Sequence, residues 1–230
     1  MPLRQPTTAL PKNWPKEIIY LSTLHIPPPL SPDLLQTTTR PSSPSPSSPP
    51  IIPAPSPGPL SPLVQIKPIT DPSHPAYTQH GLFATRALPP SSLVILYLGT
   101  LHSSSTPIDP ASDYDLSLDR ELDLAIDASR RGNEARFIND YRGVRPEGPN
   151  AEFKDCWVEV AAAAPNGKWE RRIGVFVLSP GKAGKGGGKR AKGIAKGEEI
   201  VVSYGKGFWR ARQHEEMGQW EPKVGGQEDG

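Results

Sequence analysis

Apolar residues in this chain are gathered into short runs separated by Pro, Gly, Ser and Asp. The N-terminal third holds one such run, "NWPKEIIYLSTLH" (13–25), with Trp14, Ile18, Ile19, Tyr20, Leu21 and Leu24. It reads equally as a short helix or strand docked on the chain behind it and as a sticky patch in a floppy arm. From 26 to 62 the sequence is Pro-, Ser- and Thr-rich, with "PPP", "PSSPSPSSPP" and "PAPSPGP". Proline fixes φ and supplies no N–H, so neither helix nor ladder propagates there. Such a composition buries too little apolar surface to offset its ordering entropy. The expectation is a disordered or polyproline-II linker, with docking of proline-recognising domains or Ser-Pro phosphorylation as its functional reading.

Behind the linker the pattern becomes that of strands. "LVQIKPI" (63–69), "HGLFATRAL" (80–88) and "SLVILYLGTL" (92–101) are short, rich in β-branched or aromatic residues, and bounded by Pro, Ser or Gly. "DYDLSLD" (113–119) and "LDLAIDA" (122–128) alternate. "AEFKDCWVEV" and "WERRIGVFVL" flank an Asn166-Gly167 dipeptide, which tolerates φ > 0 and favours tight hairpins. Strands at this spacing predict a mostly-β fold of small sheets, closed by a short helix over 206–214. The expected organisation is an N-terminal segment 1–25, a linker 26–62, a folded domain 63–214 and a disordered tail 215–230. Residues 180–197 carry Lys182, Lys185, Lys189, Arg190, Lys192 and Lys196 among glycines. They read as a flexible insertion, or as an electrostatic tether to acidic protein or nucleic acid. The spacing of a phosphate-binding loop is absent.

Composition changes this picture little. Thirty of 230 residues are proline, the net charge is +2, and Cys156 is the one cysteine. One cysteine forms neither an internal disulfide nor a cysteine zinc cluster, which suits a reducing compartment. The N-terminal sequence has no apolar core of signal-peptide length. No run reaches the ~18 apolar residues of a membrane helix. The expectation is a soluble protein.

Two separated motifs carry the chemistry: "GNEARFINDY" (132–141) with Pro149-Asn150 after it, and "GEEIVVSYGKGFW" (197–209). Together they resemble the "GNxxRFxNH…PN" and "GEELxxDYG…FW" motifs of SET-domain protein-lysine methyltransferases. With "HGLFA", "YLG", "YDL", "IDA" and "IGVFV", the likeness spans roughly 67–209. The resemblance implies small curved sheets (a β-clip type fold) around a knot-like crossing of the two motif segments, without a cysteine-rich zinc extension and with no metal. It implies S-adenosyl-L-methionine as cofactor, meeting a substrate lysine in a narrow channel.

Methyl transfer is an in-line displacement, so positioning dominates. Lysine is ordinarily protonated, at pKa ~10.4. A neighbouring sulfonium and poor solvation favour its neutral form, so no strong base is required. By resemblance Tyr204 is the catalytic residue, orienting the amine and the polarised methyl; the plain alternative is a buried structural tyrosine. Tyr97, Val202 and Trp209 would line the substrate channel, Tyr97 otherwise being a core residue. His80, Gly81, Leu82, Tyr114, Arg136, Asn139, Asp140 and Phe208 would hold the cofactor, Gly81 by permitting close backbone approach. Arg136 could instead pair with a carboxylate. Phe137 and Ile138 read as core, and Glu199 as an anchor of the crossing.

The chain departs from the family at Gln79 (usually Gly), Asp140 (usually His), Ser203 (usually Asp) and Val202 (commonly aromatic). A small residue at 202 predicts room for di- or trimethylation. The expected function is lysine methylation of a histone tail or another lysine-containing peptide. The alternatives are a non-catalytic SET-like module that binds a peptide or partner, and a proline-rich adaptor. The nucleus is favoured over the cytosol. Neither membrane association nor nucleic-acid binding beyond weak contact by the 180–197 loop is expected. Oligomeric state and target sequence stay open.

Overall fold

The computed structural model describes residues 10–37, 41, 48–53, 61–106, 109, 112–160, 168–179, 193–205 and 208–209. The fold they form is mostly β. In chain order the strands are β1 (Ile19–Tyr20), β2 (Gln36–Thr37), β3 (Ile51–Ile52), β4 (Val64–Pro68), β5 (His80–Ala84), β6 (Leu93–Leu96), β7 (Thr100–His102), β8 (Asp115–Asp119), β9 (Leu124–Asp127), β10 (Arg131–Gly132), β11 (Asn139–Asp140), β12 (Ala151–Glu159), β13 (Trp169–Val177) and β14 (Val201–Val202). Single 3-10 turns span Pro32–Leu35 and Glu134–Phe137.

The strands make five small sheets. β12 and β13 pair antiparallel over their full length, and β2, β3 and β6 add to their edges. β4 pairs with β5, and β9 lies between β7 and β8. Period-2 alternation explains β4, where Val64 and Ile66 are buried and Gln65 is exposed. Leu82, Val94, Leu101, Ile126, Val175, Ile194 and Ile200 form the fully buried centre. Each such side chain contributes roughly 1.5–3 kcal/mol.

The run 92–101, read as one strand, is two. β6 ends at Leu96 on β13 and β7 begins at Thr100 on β9; between them Gly99 lies close on β9, where a Cβ would sit 2.4 Å from the Asp127 carbonyl oxygen.

The folded unit also starts earlier than residue 63. Trp14, Leu24 and Leu35 belong to the main core, and β1 pairs parallel with β10 at the start of the central motif. Part of the stretch read as linker is likewise laid on the sheet, β2 against β13 and β3 against β12. The apolar pairs Leu34-Leu35 and Ile51-Ile52 interrupt the proline runs, and Leu35 is buried. The Asn166-Gly167 turn, most of the 180–197 insertion and of the 206–214 helix, and the tail lie outside the described residues.

The two motif segments run side by side. β11 pairs parallel with β14, Asn139 opposite Val201 and Asp140 opposite Val202. Asn150 holds the other side of β14: its Oδ1 accepts from Val201 N at 2.9 Å, and its Nδ2 donates to the Glu199 carbonyl at 2.7 Å.

Among the described residues no helix is long and apolar enough to cross a membrane. No group of three His, Cys, Asp or Glu among them is placed to hold a metal.

Candidate functional site

The central motif works first as a clasp. Asn133 accepts from Leu98 N at 3.2 Å and donates to the Leu96 carbonyl at 2.8 Å, gripping the loop that carries Tyr97. Tyr97 is buried; its hydroxyl donates to the Tyr114 carbonyl at 2.6 Å and its ring meets Phe153 edge-on at 5.5 Å. Burial pushes its phenol pKa well above 10, so the proton stays on.

Among the described residues, Arg136 forms no ion pair with a carboxylate. Its Nε donates to the Ala128 carbonyl at 3.0 Å and its terminal nitrogen to that of Ser129 at 3.3 Å. The guanidinium lies 4.3 Å over the Tyr114 ring. Phe137 meets Trp14 and His80 edge-on, so the N-terminal segment buttresses the motif.

Asn139 donates to Glu199 Oε1 at 2.8 Å and to the His80 carbonyl at 3.3 Å. Glu199 Oε2 lies 3.1 Å from His74 Nε2. Gly81 makes this cluster possible, since a Cβ there would sit 2.5 Å from Glu199 Oε1. The close approach at Gly81 is therefore occupied by a side chain of the protein itself.

Asp140 is a buried hub. It accepts from Tyr204 N at 2.7 Å, from Arg142 N and Nη1 at 2.9 and 3.0 Å, and from Trp209 Nε1 at 3.4 Å. The Tyr204 hydroxyl donates to the Ile138 carbonyl at 2.6 Å, and its ring meets Phe208 edge-on at 4.8 Å.

Two cavities result. The first, about 390 Å³, is bordered by His74, His80, Tyr114, Arg136, Asn139, Asp140, Tyr204, Phe208 and Trp209 among others. The second, about 350 Å³, is bordered by Tyr97, Asp115, Phe153 and Ser203 among others. Both are bordered by Asp113, Tyr114, Arg136, Tyr204 and Phe208, so the two share a wall.

Gly81, Leu82 and Val202 border neither cavity. Leu82 and Val202 are fully buried in the main core. Val202 was expected on the channel; β14 is held between β11 and Asn150, and both its side chains are buried. Trp209 borders the first cavity rather than the second.

His74, Asp113 and Phe153 were missed by sequence reading. Phe153 left a signal, as the aromatic three residues after Asn150. His74 and Asp113 sit in loops whose composition is that of any polar turn.

No protein-family model matches the chain, and no curated protein matches it. Among solved structures, it is similar to a chain of the Chaetomium thermophilum polycomb repressive complex 2, at 22% identity and TM-score 0.43 over 64% of this chain. A humanized mutant of that complex bound to an inhibitor matches at 20% identity and TM-score 0.42, again over 64%. The chain spans 16% of the length of each of these matched chains.

Proposed function

We propose that this chain is an S-adenosylmethionine-dependent protein-lysine N-methyltransferase, with a histone tail as substrate and the nucleus as its place of action. The observation that carries the reading is the shared wall: two cavities meet at Tyr114, Arg136, Tyr204 and Phe208, all contributed by or adjoining the two motif segments. Binding and transfer from opposite sides of one wall is what an in-line displacement requires.

The first cavity suits the methyl donor in size and lining. Its volume lies in the ~300–1,000 Å³ range of small-molecule sites. Charged and polar groups (Arg136, Asn139, His80) stand beside aromatic ones (Phe208, Trp209), matching a ligand with an amino-acid end and a heteroaromatic end. Both amide hydrogens of Asn139 are donated within the protein, so its carbonyl oxygen is what it offers a ligand. The donor would supply an electrophilic methyl on a sulfonium.

The second cavity suits an amine. Tyr97, Tyr114 and Phe153 make an aromatic wall, and Asp113 and Asp115 add negative charge that draws an ammonium group in. The Tyr204 hydroxyl, donating to the Ile138 carbonyl, stands at the boundary of the two cavities. It would orient the amine and stabilise the polarised methyl. The donor's sulfonium beside it would then favour the neutral amine over the ammonium that the carboxylates attract.

The test is a tritiated-methyl assay on histones and a cytosolic lysate, with Tyr204→Phe beside the wild type. Transfer by the wild type that falls on the order of a hundredfold in the variant supports the reading. Activity unchanged in Tyr204→Phe removes Tyr204 from the chemistry, and no transfer to any lysine, even on a lysine-oriented peptide array, leaves a peptide-binding module.

A further inference from the structure

His74 is among the polar residues of the first cavity that the donor-site reading leaves unassigned. His74 lies in the loop between β4 and β5. That loop is pinned by its own turns: Asp71 accepts from Ser73 N at 2.9 Å, Tyr77 N donates to the His74 carbonyl at 2.9 Å, and Ile69 N to that of Gln79 at 2.8 Å. His74 borders the first cavity, and its side chain is about nine-tenths buried.

The two ring nitrogens have different duties. Nδ1 accepts from Ala76 N at 3.0 Å, so it carries no proton. The proton of the neutral ring is therefore on Nε2, which donates to Glu199 Oε2. The other oxygen of that carboxylate takes an Asn139 N–H. Held there, the Asn139 amide cannot rotate to exchange its oxygen and nitrogen without leaving Glu199 Oε1 and the His80 carbonyl unpaired. Such an unmade bond costs about 1–3 kcal/mol at a buried group.

Resting on the donor-site reading above, we infer that His74 is a positioning residue for the methyl donor. It acts through Glu199 to hold Asn139 with its carbonyl oxygen as the acceptor presented to the first cavity. The ligand it serves is one offering an N–H to that oxygen, such as the amino group of S-adenosylmethionine. A mobile carboxylate at 199 would let the amide turn and present a donor instead, which an ammonium group repels.

Calorimetry with S-adenosylmethionine on the full chain tests this. His74→Ala weakens binding about tenfold, and His74→Gln, whose amide can still donate to Glu199, keeps it within about threefold. The double variant His74→Ala/Asn139→Ala binds no more weakly than Asn139→Ala alone, because contacts that act through one another are not additive. In turnover, His74→Ala raises the KM for the donor more than it lowers kcat. Wild-type binding with His74→Ala unchanged, or equal losses in both backgrounds, overturns the role of His74 and leaves the donor site standing. No binding by the wild type overturns the donor site and this role with it. Should His74→Ala fail to fold, ¹⁵N spectra of the wild type decide. The Nε2-protonated tautomer whose signals shift on adding S-adenosylmethionine supports the inference, and an Nδ1-protonated or unresponsive ring overturns it.

Discussion

The Asp140 carboxylate accepts the backbone N–H of Tyr204 at 2.7 Å, while the Tyr204 hydroxyl donates to the carbonyl of Ile138, two residues before Asp140. Tyr204 is thus tied at both ends to one short stretch of the central motif. Asp140→Ala would strand the Tyr204 and Arg142 amides. The expected cost is about 1–3 kcal/mol of stability, with a fall in methyl transfer larger than the stability loss explains. Asp140→Asn, which still accepts but loses the ion pair with Arg142, falls between. Thermal unfolding and steady-state kinetics on both variants check this.

On the proposed function, product multiplicity is expected to follow Phe153, not Val202. Val202 is fully buried between β11 and Asn150. Val202→Phe would overpack the core and cost about 1–3 kcal/mol without narrowing the second cavity. Phe153 borders that cavity and packs on Tyr97. Phe153→Ala enlarges it, so the ratio of trimethyl to monomethyl product rises. Mass spectrometry of methylated peptide reads the ratio. A ratio unchanged in Phe153→Ala would remove Phe153 from the channel.

Glu134 sets a pH dependence of stability. Burial, the largest influence, raises its pKa above the ordinary 4.5, against the opposing hydrogen bond from Tyr20. The folded state then holds a proton that the unfolded chain has released. Its stabilising contribution is complete below pH 4.5 and is lost as pH rises through the elevated folded value. Glu134→Gln removes this term, so the unfolding free energy of the variant should decline less across that window. Denaturant titrations from pH 4 upward compare the slopes.

The N-terminal segment should be indispensable. Trp14 is buried, meets Tyr20 and Phe137 edge-on, and donates to the Ile18 carbonyl at 2.7 Å. Trp14→Ala is expected to cost about 3–5 kcal/mol, and a chain beginning at residue 26 should lose the cooperative unfolding transition. Circular dichroism melts of both answer this. A fully cooperative melt at the wild-type temperature for the shortened chain would show that the segment is dispensable.

Much of the β architecture was legible because the apolar alternation of β4, β8 and β9 is a local property, and the turn residues between them act locally too. The two motifs were legible for a similar reason: Gly132-Asn133, Asn139 and Tyr204 stand at spacings a linear reading can match. The two-residue strands β1, β2, β3, β11 and β14 were not. A strand that short has no pattern of its own, and only its partner defines it. The apolar pairs Leu34-Leu35 and Ile51-Ile52 were outweighed by the prolines around them for the same reason.

Side-chain duties divide along that line. Residue type and order along the chain were enough to single out Tyr204, Tyr97, Arg136 and Asn139, which the fold places around two adjoining cavities. Which carboxylate holds which amide, that Gly81 makes room for the Glu199 carboxylate, and that Val202 is buried in the core while Phe153 borders a cavity were decided by tertiary structure alone. Hydrogen bonds and packing act over a few ångströms in space, and the partners here come from segments far apart in the chain.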